Sequence, residues 1–267
     1  MVKIGIYDPY LDTMSGGERY MLSLARCLSS DNEVSIFWDP QNEAAIRSEA
    51  ERKFHMNLEG IEFVQSIFTP QTSLIARLQY SQAYDAIVVL SDGSIPLLAC
   101  DTILHFQTPV EWVHGKSIMN RLKLKRVKHI ICNSKKKKKY VDRKFGVHST
   151  VLYPPVDLPE KKDTKKERII LNLGRMGIRA SGSSYKKQEV LRDAFKQMVK
   201  DGLKDWDLVF IVNVTDQEEN VAKEFIDSVK DFPITVVINP DMETVKAYYQ
   251  KASLYWHAAG FGEDLVK

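Results

Sequence analysis

Arg175 and Lys186 have the clearest chemistry to offer in this chain. They flank a Gly/Ser-rich stretch, Met176 to Tyr185, which follows the apolar run Arg168-Ile-Ile-Leu-Asn-Leu-Gly174. After it comes a segment in which Leu191, Ala194 and Phe195 fall on one helical face. A strand, a loop and a helix in that order bring the carboxyl end of the strand to the amino end of the helix. Unpaired backbone N–H groups and the helix dipole favour an anion there. Two fixed cations at that point make half of a site for a phosphorylated ligand. Spacing alone does not decide between Lys186 and Lys187 as the second cation, and Arg and Lys beside a flexible loop are also what a solvated surface offers.

Two further groups of residues stand where chemistry is done in α/β proteins. Gly16, Gly17 and Glu18 lie between the first strand pattern and the first helical pattern, so their backbone can approach a ligand or simply form a tight turn and helix start. Two glycines without the dinucleotide fingerprint imply no nicotinamide cofactor. His105 falls near the carboxyl end of a strand pattern, where a neutral imidazole can exchange a hydrogen bond with a substrate hydroxyl; a packed histidine is the plainer reading.

The elements that must position these residues alternate. Strand patterns cover Lys3 to Tyr7, Val34 to Trp38, Ile61 to Val64, Ala86 to Leu90, Thr102 to Phe106, His129 to Cys132 and Thr150 to Tyr153. A helical face of Tyr20, Met21, Leu24, Ala25 and Leu28 follows the first of them. Such alternation predicts a doubly wound parallel sheet. Pro154-Pro155 ends the series, and the polar stretch 159–167 reads as a linker. The pattern then restarts: strand Ile169 to Leu173, helix from about Lys187, strand Leu208 to Val212, helix Glu218 to Val229, strand Ile234 to Ile238, helix Glu243 to Gln250 and strand Leu254 to His257. The expected domains are therefore 1–158 and 168–267. The second reads as a small unit cut short, because its last loop stops at Lys267 without the helix it should lead into.

Composition bounds the rest. The 267 residues are 44% hydrophobic and 27% charged, ordinary for a globular chain with room for two modest cores. The three cysteines, Cys27, Cys100 and Cys132, and the six histidines lack metal-ligand spacing, so the cysteines read as small core residues and no metal is expected. The start shows no signal peptide, and no apolar run reaches the ~18 residues a membrane helix needs, which predicts a cytoplasmic protein. A net charge of +3 conceals a basic segment. From His114 to His148 there are thirteen Lys or Arg against Asp142 alone, leaving the remainder of the chain at −9. Residues 116–144 would be drawn to anionic lipid, with Ile118, Met119, Leu122 and Leu124 able to touch an interface. Nucleic acid is the disfavoured partner, because stacking aromatics are sparse in this segment.

In combination these residues resemble the retaining glycosyltransferases of family 4, which have the GT-B architecture of two Rossmann-like domains. Gly16-Gly17-Glu18-Arg19 looks like the family's glycine loop, and His105-Phe-Gln-Thr-Pro109 like its active-site histidine segment. Asn133-Ser134 and Leu152-Tyr-Pro-Pro-Val-Asp157 look like the segments leading out of the first domain. Gly174-Arg175 and Lys186 resemble the donor-diphosphate pair, with Lys187 where a glycine is frequent. Tyr255-Trp-His-Ala-Ala-Gly-Phe-Gly262 resembles the donor-sugar loop, Gly260, Phe261 and Gly262, in the form seen in mannosyltransferases of lipid-linked oligosaccharide synthesis.

The resemblance implies transfer of a sugar from a nucleotide diphosphate sugar, a substrate rather than a cofactor, to a hydroxyl acceptor. The acceptor class it points to is lipid-linked or otherwise membrane-proximal, with the protein peripheral at the membrane. Family members continue with two glutamates separated by seven residues, and Glu263 has no such partner before Lys267. The expectations are a truncated, weakly active or inactive transferase, a second chain that supplies the missing part, or a non-catalytic module that binds a partner or an anionic membrane.

Overall fold

The computed structural model describes residues 1–108, 110, 112–156, 164–177 and 186–258, and the chain divides into two compact units, Met1–Asp157 and Leu158–Lys267. Unit 1 runs β1 (Lys3–Tyr7), α1 (Gly16–Leu28), β2 (Glu33–Phe37), α2 (Glu43–Phe54), β3 (Ile61–Val64), α3 (Leu74–Ser81), β4 (Ala86–Leu90), β5 (Asp101–Phe106), α4 (Ile118–Leu124), β6 (Val127–Cys132), α5 (Lys135–Phe145) and β7 (Thr150–Val151). Unit 2 runs β8 (Glu167–Arg175), α6 (Gln188–Lys200), β9 (Asp207–Asn213), α7 (Glu219–Asp227), β10 (Ile234–Ile238), α8 (Met242–Lys251) and β11 (Ala252–Tyr255).

All strand pairs are parallel, in the orders β3-β2-β1-β4-β5-β6-β7 and β10-β9-β8-β11. Helices cover both faces of a parallel sheet, so its central strands must be apolar throughout rather than alternating. Ile87 to Leu90 in β4 and Leu208 to Val212 in β9 are buried without a break. Tyr20, Met21, Leu22 and Ala25 of α1 pack with Ile6, Val34, Ile36 and Val88 on one side of the first sheet; Phe37, Ile87, Val89, Leu104, Phe106, Val141 and Phe145 fill the other. In unit 2, Leu191 and Phe195 of α6 pack on Ile170, Leu208, Phe210 and Val212. Full burial of one such side chain contributes about 1.5–3 kcal/mol.

Several expectations need correction. Ala194 is exposed, because the inward stripe of α6 runs Gln188, Leu191, Phe195 and half-buried Val199 at i, i+3, i+7 and i+11 spacing, which leaves Ala194 off the seam. Cys27 is exposed on α1, two positions past buried Ala25 and so on the outer face; Cys100 is half-buried, and Cys132 is a core residue. Leu124, grouped with the interface residues of α4, packs into the core instead. The last strand of unit 1 stops at Val151, leaving Leu152 and Tyr153 exposed before Pro154-Pro155, which carry no N–H for a ladder. In unit 2 the last strand lies two residues earlier than expected and shifts register between Ala252 and Leu254.

Candidate functional site

The connections after β1 and after β3 run to opposite sides of the first sheet, which makes β1/β4 its topological switch point; in unit 2 the same reversal falls at β8/β11. Ligands of open α/β sheets bind beside the carboxyl ends of strands at such points.

At the unit 2 switch point, Gly174 and Arg175 end β8, paired in register with Val212 and Asn213 of β9. The Lys186 stem lies across Gly174 so closely that a Cβ there would come within 3.1 Å of Lys186 Cγ. Gly174 is thus small because the lysine uses the space. Gln188, buried at the start of α6, donates from Nε2 to the Arg175 carbonyl at 3.2 Å, tying the helix start to the strand end. Lys187 precedes the helix at φ +54°, a left-handed conformation that favours glycine, and its own side chain makes no capping hydrogen bond to α6. The backbone of Arg175, the stem of Lys186 and the start of α6 are therefore neighbours at this strand end, and the dipole of a helix start favours an anion. Beside them, Trp256 after β11 is held by its N–H to Leu171 O at 2.8 Å, and its carbonyl accepts from Asn172 Nδ2 at 2.7 Å. Gly260, Phe261 and Gly262 lie outside the described residues, as does Glu263.

At the unit 1 edge, Glu18 reaches back from α1 to accept from the Ser15 N–H at 2.8 Å and the Ser15 hydroxyl at 2.6 Å. Glu18 is buried, and its carboxylate already occupies the start of α1, so this helix end answers a second anion with repulsion. Gly17 gives room to Gln107, whose Oε1 lies 2.6 Å from where a Cβ would be and whose Nε2 donates to Gly17 O at 3.1 Å; around Gly16 there is open space. Asn133 Nδ2 donates in turn to Gln107 O at 3.4 Å.

His105 is fully buried, stacked on Tyr20, with Nδ1 3.2 Å from Met21 Sδ. Burial lowers its pKa to about 4, so the ring is neutral at physiological pH. Among the described residues of unit 1, the buried side-chain polar atoms without a hydrogen-bond partner are Asp8 Oδ2, Trp38 Nε1, His105 Nε2 and Asn133 Oδ1. All four residues sit at, or within one residue of, the carboxyl end of a strand. Buried polar atoms are nearly always satisfied, so this edge is where unit 1 leaves bonding capacity open. Asp8 was missed in the sequence because one aspartate before a proline reads as an ordinary turn. No group of three or more metal-ligating side chains occurs among the described residues.

No protein-family model matches this chain, and no curated protein matches it in sequence. Solved structures do match. HepE of Anabaena, solved with UDP and glucose, superposes with a TM-score of 0.64 at 15% identity over 97% of this chain and 74% of its own. An α-glucosyltransferase solved with UDP and a 13-mer DNA gives 0.58 at 10% identity, covering 96% and 72%. MurG of Acinetobacter baumannii gives 0.51 at 13%, covering 96% and 71%. The fold is GT-B, with two α/β units on parallel sheets, the second of them small. That class of fold, rather than a membership within it, is what these likenesses establish.

Proposed function

We propose that the chain is a glycosyltransferase of the family 4 type, moving a hexose from a nucleotide diphosphate sugar to a hydroxyl acceptor with retention at the anomeric carbon. The observation that carries this is that Arg175, the Lys186 stem and the start of α6 meet at the unit 2 switch point. HepE and the α-glucosyltransferase, both solved with UDP, support a uridine diphosphate donor. In this reading unit 2 binds the donor, unit 1 the acceptor, and 159–167 is the linker.

In the reaction the bond from the anomeric carbon to the diphosphate oxygen breaks and a bond to the acceptor oxygen forms. The acceptor's proton passes to the departing phosphate oxygen. Negative charge grows on the diphosphate, and Arg175, Lys186 and the helix end stabilise it where it develops; Lys187 stands close enough in sequence to add to them. His105, neutral, offers Nε2 to a hydroxyl of the donor sugar, and the resemblance assigns Gly260, Phe261 and Gly262 to that sugar as well. Neither a metal nor a cofactor is called on for these steps. The test is release of UDP from UDP-glucose in the presence of simple glycoside acceptors, with the product read by NMR. An α-linked product is expected; no release above buffer would refute the assignment, and a β-linked product would refute retention.

A second reading is favoured by the surface of α4. Ile118, Met119 and Leu122 are 81%, 60% and 53% exposed on this helix, beside exposed Lys116, Arg121, Lys125 and Arg126. An apolar stripe ringed by cations suits an anionic membrane surface. Among the described residues no helix is long and apolar enough to cross a membrane. Here the protein is cytoplasmic and peripheral, acting on a lipid-linked acceptor, or binds the surface as a non-catalytic module. Retention on phosphatidylglycerol but not phosphatidylcholine vesicles, lost in Ile118→Asp, is the expected result; equal retention on both would remove the membrane role.

A further inference from the structure

Asp8 is the first residue beyond β1 at the β1/β4 switch point of unit 1. It is 1% exposed. Its Oδ1 accepts from the Tyr10 N–H at 2.9 Å, while Oδ2 is buried and has no hydrogen-bond partner among the described residues. A fold that keeps a buried carboxyl oxygen unpartnered at a ligand-binding edge leaves it for something that arrives.

The surroundings restrict what arrives. Glu18 and Asp12 act on the Asp8 carboxyl by charge, and Asp8 and Asp92 act in the same way on Tyr7 and Tyr10, with Arg77 the opposing cation at Tyr7. The start of α1, which would otherwise attract an anion, is already closed by Glu18. A phosphate or carboxylate would be repelled here, whereas a neutral O–H donor would not.

We propose that Asp8 is the acceptor-binding residue of unit 1, taking at Oδ2 a hydrogen bond from a hydroxyl of an uncharged polyhydroxyl acceptor. This rests on the glycosyltransferase reading and deepens it by assigning the acceptor's chemistry. Because Asp8 is shielded from water, the hydroxyl reaches it through a shift of the segment leading from β1 to α1, in which Met14 holds a left-handed φ of +44°.

The test is calorimetry with octyl β-D-glucoside, below its micellar range, on the whole chain saturated with UDP. Asp8→Asn and Asp8→Ala are expected to weaken glucoside binding at least about tenfold, with UDP affinity unchanged within about twofold. Equal glucoside binding by the variants, or none by wild type while UDP binds, overturns the assignment and leaves the donor site standing. Absence of UDP binding by wild type overturns the transferase reading itself, and the assignment with it. If both variants lose their cooperative thermal transition, wild type decides. Burial and the neighbouring carboxylates hold the Asp8 pKa up at about 7. A hydroxyl donating to the carboxylate lowers it, so glucoside binding at pH 7 should release a fraction of a proton, measured in buffers of different ionisation enthalpy. Glu18 and Asp12 are the other charged groups acting on Asp8, and Asp92, Arg77, Tyr7 and Tyr10 are coupled around it. No release overturns the assignment.

Discussion

The His105 ring stacks on the Tyr20 ring, 4.4 Å between centroids and 27° from parallel, and this contact fixes the end of β5 against α1. Tyr20 is held from its other end, its hydroxyl donating to Leu152 O at 3.0 Å. A charged imidazole is poorly accommodated in such a place. The folded pKa, depressed to about 4, lies below that of the unfolded chain, near 6.5. Between those values the unfolded state binds the proton and the folded state does not, so stability falls as pH drops from about 6.5 to about 4.

The loss assigned to His105 is of the order of 3 kcal/mol over that range. His105→Phe keeps an aromatic stack and removes the titration. Asp8 works in the opposite sense, because its folded pKa, raised to about 7, favours the folded state as pH falls towards 4. Asp8 is common to both proteins, so the difference between them isolates the histidine. Urea unfolding at pH 7 and pH 4.5 should show His105→Phe losing about 2–3 kcal/mol less than wild type on acidification. Parallel losses would contradict a buried, neutral His105.

Gly16 and Gly17 should respond differently to alanine. Both stand in the first turn of α1, so the conformational gain from alanine is similar, up to about 1 kcal/mol. Only at Gly17 does the new Cβ meet Gln107, 2.6 Å from Oε1, and displace an amide that donates to Gly17 O. Gly17→Ala should therefore be less stable than Gly16→Ala by about 1 kcal/mol in thermal or urea unfolding. Equal stabilities would mean that the Gln107 contact is not made.

Lys187 offers a test of backbone conformation. Its φ of +54° costs a non-glycine residue about 1 kcal/mol. Lys187→Gly should come out between neutral and about 1 kcal/mol more stable in unfolding, since glycine's greater freedom in the unfolded chain offsets part of the relief. A clear destabilisation would show that the Lys187 side chain makes contacts worth more than the strain.

The elements were legible because parallel strands buried on both faces leave unbroken apolar runs, as in Ala86-Ile-Val-Val-Leu90, and because turns separate them. Sequence periodicity faltered where one residue decides a face. Ala194 and Cys27 are small and apolar enough to suit a core, and only the placement of Phe195 and Ala25 shows that they point away. Arg175 and Lys186 could be named as candidates because the strand-loop-helix order predicts an anion site without tertiary detail, and the structure bears out that order at β8 and α6. Ser15 and Glu18 have capping-box spacing, and recognising it would have placed a carboxylate at the glycine loop. Asp8 could not be found in this way, because burial of a polar residue after a strand depends on the packing of segments distant in sequence.

The central claim is that unit 2 holds a nucleotide diphosphate through Arg175 and Lys186. Calorimetric titration of the whole chain with UDP measures it most directly. Wild type should bind, with Arg175→Ala and Lys186→Ala each weakening affinity about tenfold or more, as loss of a charge-assisted hydrogen bond requires. No heat of binding at about 1 mM UDP, or variants that bind as tightly as wild type, would contradict it.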